Sequence, residues 1–502
     1  MTSRDAVPRA IGPDTASPDT AGSDTAGSDT ATRLLQGLRE LLDVVQQLPA
    51  AHGGPTLAAV LGEHLGTNAA ELAVTREEVP GHRFVDIDIA LAALADRDPQ
   101  ARVVGVGGGD RRYHHSLGDL VARSLFGSSG VPIGQVDYQN LAVGPDQERA
   151  VVAFGVRLFR YDDSPVAVLQ RRASPRYGQN MGAVEVIAAD PAVVAPLLDE
   201  LRRLALDLSV VRGQIVGLTA SGFEPSVEGL TFHERPDLTS ADVILPEGTL
   251  DRVADHVIGV AERSAALRGY GQHLKRGVLL YGPPGTGKTH TVRYLLGATP
   301  RHTVVLLAGM SLRFVGFATQ LARALQPAIV VLEDCDLVAE DRGMHPGAKP
   351  LLFEVLDAMD GLAADADVTF LLTTNRVEAL ERALSQRPGR VDLAVEIPLP
   401  DLDGRRRLLD LYAPPGAFSA AVVDDVARRT EGTPAAFAKE LVRRSVLAAT
   451  LTGAEPGDAH LAEATEQLLS DAEALSRRLL GTGADPGQGG AVAGWSGCAP
   501  GF

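Results

Sequence analysis

Apolar positions change their spacing several times along the chain, and each change marks a new element. Between Thr32 and Leu48, leucine or valine stands at 34, 35, 38, 41, 42, 45 and 48, one face of an amphipathic helix. Helical spacing recurs over residues 56–73 and 88–96. Ala150–Tyr161 and Val166–Arg171 then read as a strand pair, turned by Asp162-Asp163-Ser164-Pro165. Ala183–Ala188 reads as a strand, Pro191–Leu206 as a helix and Gly213–Leu218 as another strand. Together these predict a mixed α+β domain over residues 33–235 that carries no chemical motif. Its adjacent His114 and His115 lack the spaced partners a metal site needs and read as surface or turn residues.

From about Ala241 the pattern becomes apolar strands alternating with helices: Arg276–Tyr281, Thr303–Leu307, Ala328–Leu332, Val368–Thr373 and Val391–Ile397. That is the signature of a parallel sheet covered on both faces, here assigned to residues 241–400. Residues 401–479 read as a small helical unit, with helices over 403–412, 419–430, 434–451 and 458–479. The ends differ. Residues 1–32 hold a five-residue near-repeat (PDTAS, PDTAG, SDTAG, SDTAT), and residues 480–502 are glycine-rich with one tryptophan, Trp495. Both compositions bury too little apolar surface to offset ordering entropy, and both are expected to be disordered tails.

Composition narrows the function classes. The chain has 502 residues, 47 basic against 64 acidic, for a net charge of −17. Such a balance disfavours nucleic acid and anionic membrane surfaces as partners. Two cysteines, Cys335 and Cys498, fit a reducing, cytoplasmic setting rather than a disulfide framework. No apolar run reaches the roughly 18–20 residues of a membrane span, and no signal-like h-region opens the sequence. Lysine occurs four times, at 275, 288, 349 and 439.

One of those lysines sits in a phosphate-binding loop. The strand ending at Tyr281 runs into Gly282-Pro283-Pro284-Gly285-Thr286-Gly287-Lys288-Thr289, ahead of a predicted helix. This is G-x-x-x-x-G-K-[ST] in the strand–loop–helix setting the motif requires. The glycines let backbone N–H groups turn towards phosphates, and the helix N-terminus adds positive potential. Lys288 is expected to reach the β/γ-phosphates and the Thr289 hydroxyl to ligate Mg2+. The ATP-contacting set is Gly282, Pro283, Pro284, Gly285, Thr286, Gly287, Lys288, Thr289 and the adjoining His290. Some forty residues on, Ile329–Leu332 runs into Glu333-Asp334. By position Glu333 faces the metal and Asp334 the attacking water. A third strand ends at Asn375, whose amide is suited to the γ-phosphate or that water. Arg387 and Arg390, on a Pro-Gly turn, present guanidinium groups for phosphate oxygens. Acting in trans, they imply an active site shared between subunits.

Residues from about 243 to 450 resemble the AAA ATPases that carry the second region of homology. The motifs fall in family order: GPPGTGKT (282–289), IVVLED (329–334), MDG (359–361), Asn375 within TTNR, and the arginine-finger signature RPGRVD (387–392). The resemblance implies a P-loop α/β core with a C-terminal helical lid, ATP and Mg2+ as cofactors, ATP hydrolysis, and a homo-oligomeric, hexameric ring. It also implies protein substrates or adaptors, recruited by the domain over 33–235. The acidic pair is inverted from the usual Asp-Glu, an order similar to that of the Bcs1-type subgroup. The lid stretch Glu431–Ala436 resembles the family's G-x-S-G-A-D without its Asp. No HExxH occurs, which separates the chain from an FtsH-type protease despite the similar core. In unfoldases of this family an aromatic–hydrophobic–glycine tripeptide grips substrate in the ring channel, and Phe314-Val315-Gly316 is expected to be that loop. Left open is a core role for Phe314, because the segment Phe317–Pro327 is short for the helix that follows. Also open is the alternative of a slow, nucleotide-gated assembly module that switches partner binding without threading substrate.

Overall fold

The computed structural model describes residues 54–122, 130–174, 181–220, 227–335, 365–376 and 391–479, with the single positions 37 and 357. Both expected tails and nearly all of the helix expected before Leu48 lie outside the described residues, as do Met359-Asp360-Gly361 and the segment holding Arg387 and Arg390. Packing divides the chain into two units. The first comprises residues up to Glu78, Leu94–Asp137 and Val152–Leu198. The second comprises Val79–Ala93, Tyr138–Val151 and everything from Asp199.

One α+β region holds a seven-stranded sheet of β1 (Thr75–Val79), β2 (Arg102–Val106), β3 (Ile133–Gly134), β4 (Asp137–Gly144), β5 (Gln147–Tyr161), β6 (Ser164–Arg171) and β7 (Gly182–Ala188). The sheet order is β1-β7-β6-β5-β2-β3, with β4 paired to β5. Asp162 and Asp163 form a two-residue hairpin turn with φ of 46° and 62°. Aspartate tolerates that left-handed region, and such a turn matches the twist of the flanking strands. Leu57, Leu61 and Leu65, spaced four apart on the helix Leu57–Leu65, pack on Phe154, Val156, Leu158 and Leu169 of the sheet.

The second unit holds β8 (Ile215–Ala220), β9 (Val227–His233), β10 (Arg276–Tyr281), β11 (Thr303–Ala308), β12 (Ala328–Glu333), β13 (Val368–Thr374) and β14 (Leu393–Glu396). Their order is β14-β10-β13-β12-β11-β8-β9. All pairings are parallel except β8 with β9. The continuous apolar runs follow from burial on both faces. Val278, Leu280, Val304, Ile329 and Val331 enter one core with the helix Lys288–Gly297. Leu279, Val305, Leu307, Val330 and Leu332 enter the opposite core with the helix Val315–Ala324.

A boundary at residue 235 does not describe this arrangement. The strand expected at Gly213–Leu218 as part of the first domain is β8, and it extends the second sheet beside β11. The physical reason is its pattern: Ile215 faces one core and Val216 and Leu218 the other, so it needs cover on both sides. The chain after β9 is fixed by Arg235, whose guanidinium donates to the carbonyls of Gly213 (3.0 Å), His302 (3.0 Å), Thr299 (3.2 Å) and Leu296. One of those carbonyls, that of Leu296, lies in the last turn of the helix Lys288–Gly297, where a cation also suits the helix dipole.

Four helices follow: Leu402–Tyr412, Ala420–Arg429, Ala435–Thr452 and Asp458–Leu479. Asp401 caps the first through the Gly404 amide at 2.7 Å, and Gly453 closes the third in the left-handed region. Their facing residues, among them Leu408, Val426, Leu441 and Leu461, make a separate apolar core.

Candidate active site

The functional residues gather at the C-terminal ends of the parallel strands, where strand-to-helix loops open outward. Gly282 leaves β10 with φ 142°, and a Cβ there would lie 2.2 Å from the Ile397 carbonyl oxygen. No other residue fits this turn. The loop ends at the helix Lys288–Gly297, whose first amides are free of intrahelical partners and suited to an anion. Lys288 is nearly buried, and its ammonium donates to the carbonyls of Gly282 (2.9 Å) and Pro283 (2.8 Å). The Thr286 hydroxyl also donates to Pro283, at 2.9 Å. The lysine is thus held inside the loop.

Glu333 is the last residue of β12, and the Thr289 hydroxyl lies near enough to its carboxylate to favour the charged form. Burial pushes the Glu333 carboxyl above its usual range, and the Asp334 charge pushes the same way. The Thr289 hydroxyl and the Arg293 charge oppose that shift. Asp334 follows in the left-handed region, at φ 51°, an uncommon conformation for a residue other than glycine. Its amide donates to the Thr373 hydroxyl at 3.1 Å, and the Asn375 side-chain amide reaches its carboxylate at 3.4 Å. The Cys335 amide donates to the Thr373 carbonyl at 3.0 Å. The ladder between β12 and β13 runs only to Leu332 and Leu372, so these contacts tie the strand ends together beyond it.

The structure therefore brings Lys288, Thr289, Glu333, Asp334 and Asn375 to one end of one sheet. His290 is turned elsewhere: its Nε2–H donates to the Asp242 carbonyl at 2.9 Å. That contact anchors the segment beside the loop, where Ile244 joins the lid core and Leu245 the core beneath the sheet. The lid touches the loop through the backbone. The Ala436 amide donates to the Gly285 carbonyl at 3.0 Å, and a Cβ on Gly285 would meet that of Ala436 at 3.1 Å. Lys439 stands over the Tyr412 ring instead, 5.8 Å from its centroid. Arg293 was not singled out in the sequence. It lies four residues after Thr289, one helical turn along the same face, and that spacing was the available signal.

Phe314 is not displayed for gripping. It is 7% exposed and packs with Leu312, Val315 and Ala318 in the core on one face of the sheet. Val315 is buried too, leaving only Gly316 of the tripeptide at the surface. The expectation of a displayed Phe314-Val315-Gly316 therefore differs from the structure at two of its three residues, which lie in the core. Truncating Phe314 to alanine is expected to cost about 3–5 kcal/mol of stability. Urea denaturation of the two proteins measures this, and an unchanged midpoint would contradict the burial.

Among the described residues, no three His, Cys, Asp or Glu side chains cluster to hold a metal ion, and no helix is long and apolar enough to cross a membrane. Comparison with known proteins agrees with the strand-end geometry. The family model for "ATPase family associated with various cellular activities (AAA)" matches residues 278–399. The ATP-dependent zinc metalloprotease YME1L of Drosophila melanogaster is 34% identical over 220 residues, 41% of this chain and 30% of that protein. The ATP-dependent zinc metalloprotease FtsH of Cutibacterium acnes is 31% identical over 272 residues, 51% of this chain and 38% of the relative. A proteasome-activating nucleotidase of Methanothermobacter thermautotrophicus is 30% identical over 241 residues, 45% of this chain and 58% of the relative. The chain thus spans less than two thirds of the length of each.

Proposed function

Because the chain carries an ATPase domain of the AAA family, we propose that it binds ATP with Mg2+, hydrolyses the terminal phosphoanhydride and spends the cycle on remodelling or unfolding protein substrates. The observation that carries this reading is the convergence of Lys288, Thr289, Glu333, Asp334 and Asn375 at one end of a parallel sheet.

In this proposal the loop amides and Lys288 bind the phosphates, with the lysine passing from the Gly282 and Pro283 carbonyls to phosphate oxygens. The Thr289 hydroxyl and Glu333 carboxylate are hard oxygen donors near one another, a set that fits Mg2+. When bound, the ion neutralises charge on the β- and γ-phosphate oxygens. Asp334 orients the attacking water and takes its proton, and Asn375 fixes the Asp334 carboxylate. ADP and phosphate leave. Arg387 and Arg390 are proposed to complete the site of a neighbouring subunit, which makes the working form a hexameric ring. The domain before the ATPase is proposed to recruit substrate or adaptor. A cytoplasmic setting belongs to the same proposal, supported by two cysteines in 502 residues.

The burial of Phe314 favours a second reading, in which nucleotide binding switches partner affinity without threading. The two readings separate in one experiment. Steady-state ATP hydrolysis with Mg2+ is measured with and without a permanently unfolded polypeptide such as reduced, carboxymethylated α-lactalbumin. Acceleration supports remodelling, hydrolysis without acceleration supports the switch, and no hydrolysis rejects both.

A further inference from the structure

The strand β13 is buried from end to end, yet it carries a hydroxyl at Thr373, directly after Phe370, Leu371 and Leu372. Thr373 is 1% exposed. By the alternation of a strand its side chain shares the face of Leu371, the face covered by the helix Lys288–Gly297. A hydroxyl at that depth needs a partner. It has one in the Asp334 amide, 3.1 Å away. The backbone of Thr373 is itself held on both sides. It pairs with Leu280 of β10, and its carbonyl accepts from the Cys335 amide at 3.0 Å.

The amide that Thr373 holds belongs to a residue in the left-handed region, with φ 51°. Asp146, Asp162 and Asp163 share that region, but they lie in turns that join neighbouring strands. Asp334 extends directly from the end of β12, in the nucleotide site. We propose that Thr373 is a positioning residue for ATP hydrolysis: its hydroxyl holds the Asp334 amide and so keeps the Asp334 carboxylate turned towards the attacking water. The proposal rests on the reading above in which Asp334 takes the proton of that water. Without a partner for its amide, a residue other than glycine is drawn back to negative φ. That rotation swings Cβ, and the carboxylate with it, away from the Asn375 amide that reaches it at 3.4 Å. The order Glu333-Asp334 fits the same geometry, because the short acid, which tolerates the left-handed region, stands where the backbone adopts it.

The test uses the full chain with ATP and Mg2+, and reads kcat and KM for hydrolysis together with binding of a fluorescent ATP analogue. Thr373→Val keeps the shape and removes the hydroxyl. It is expected to lower kcat about tenfold, the equivalent of about 1.4 kcal/mol, with KM and binding within about twofold. Thr373→Ser keeps the hydroxyl and loses a buried methyl group, and is expected to hold kcat within about threefold even though its urea midpoint falls. Activity that follows the hydroxyl rather than stability separates positioning from a structural role. In the Asp334→Asn background, Thr373→Val is expected to change the single-turnover rate less than about twofold, because the hydroxyl acts through that carboxylate. Unchanged kcat in Thr373→Val, with Asp334→Asn stalled, would overturn the assignment and leave Asp334 as the base. Loss of ATP binding by Thr373→Val would also overturn it, placing the hydroxyl in the fold and not in the chemical step. Full turnover by Asp334→Asn would overturn the reading of Asp334 and this assignment with it.

Discussion

Lys288→Ala is expected to weaken ATP binding by about 100-fold or more. The removed ammonium would otherwise make charge-assisted hydrogen bonds to phosphate oxygens, together about 3 kcal/mol. The substitution also leaves the Gly282 and Pro283 carbonyls without the donor they share at 2.9 and 2.8 Å, so the empty loop loses part of its own support. A fluorescent ATP analogue titrated against both proteins measures the loss, and thermal unfolding without nucleotide measures the second effect. Retention of tight binding would mean that the nucleotide lies elsewhere. Arginine at this position is not expected to rescue, since its planar fork does not suit the narrow space between two loop carbonyls.

The second large effect is expected at Asp334. Asp334→Asn preserves shape and removes the proton acceptor, so turnover should fall by about 100-fold or more while ATP stays bound. Single-turnover hydrolysis gives the chemical step, and nucleotide retention on rapid desalting gives the binding. The opposite pattern, with Asp334→Asn turning over and Glu333→Gln stalled, would move the base to Glu333. The geometry argues for the first outcome. Glu333 lies near Thr289, whereas Asp334 is reached by Asn375 from the end of the next strand.

The nucleotide site was legible in the sequence because its parts are short, contiguous and placed at strand ends. Gly282–Thr289 announces itself through backbone requirements that few other residues meet, and Glu333, Asp334 and Asn375 each follow an apolar strand. Two things were harder to read. The hairpin formed by β8 and β9 precedes every motif, so the onset of the catalytic half was set too late. Its evidence was β8 itself, apolar on both faces and unsuited to a half-exposed sheet. The orientation of Phe314 was not legible in the tripeptide, because such a match says nothing about which way a ring points. The longer pattern did say: Phe314, Ala318, Leu321, Ala322 and Leu325 repeat at helical spacing, and all five are buried. Arg387 and Arg390 lie outside the described residues, so their part in the site stays a proposal drawn from sequence.

The β8–β9 hairpin also sets where this chain can be divided. Cut just before Ser240, the remainder keeps every nucleotide-binding motif but exposes the full hydrogen-bonding edge of β11, an apolar strand with no lysine or proline to blunt it. Bare edges of that kind recruit strands from other molecules. The antiparallel pair beyond β11 therefore covers that apolar edge, and a fragment that keeps the cover begins upstream of Ile215.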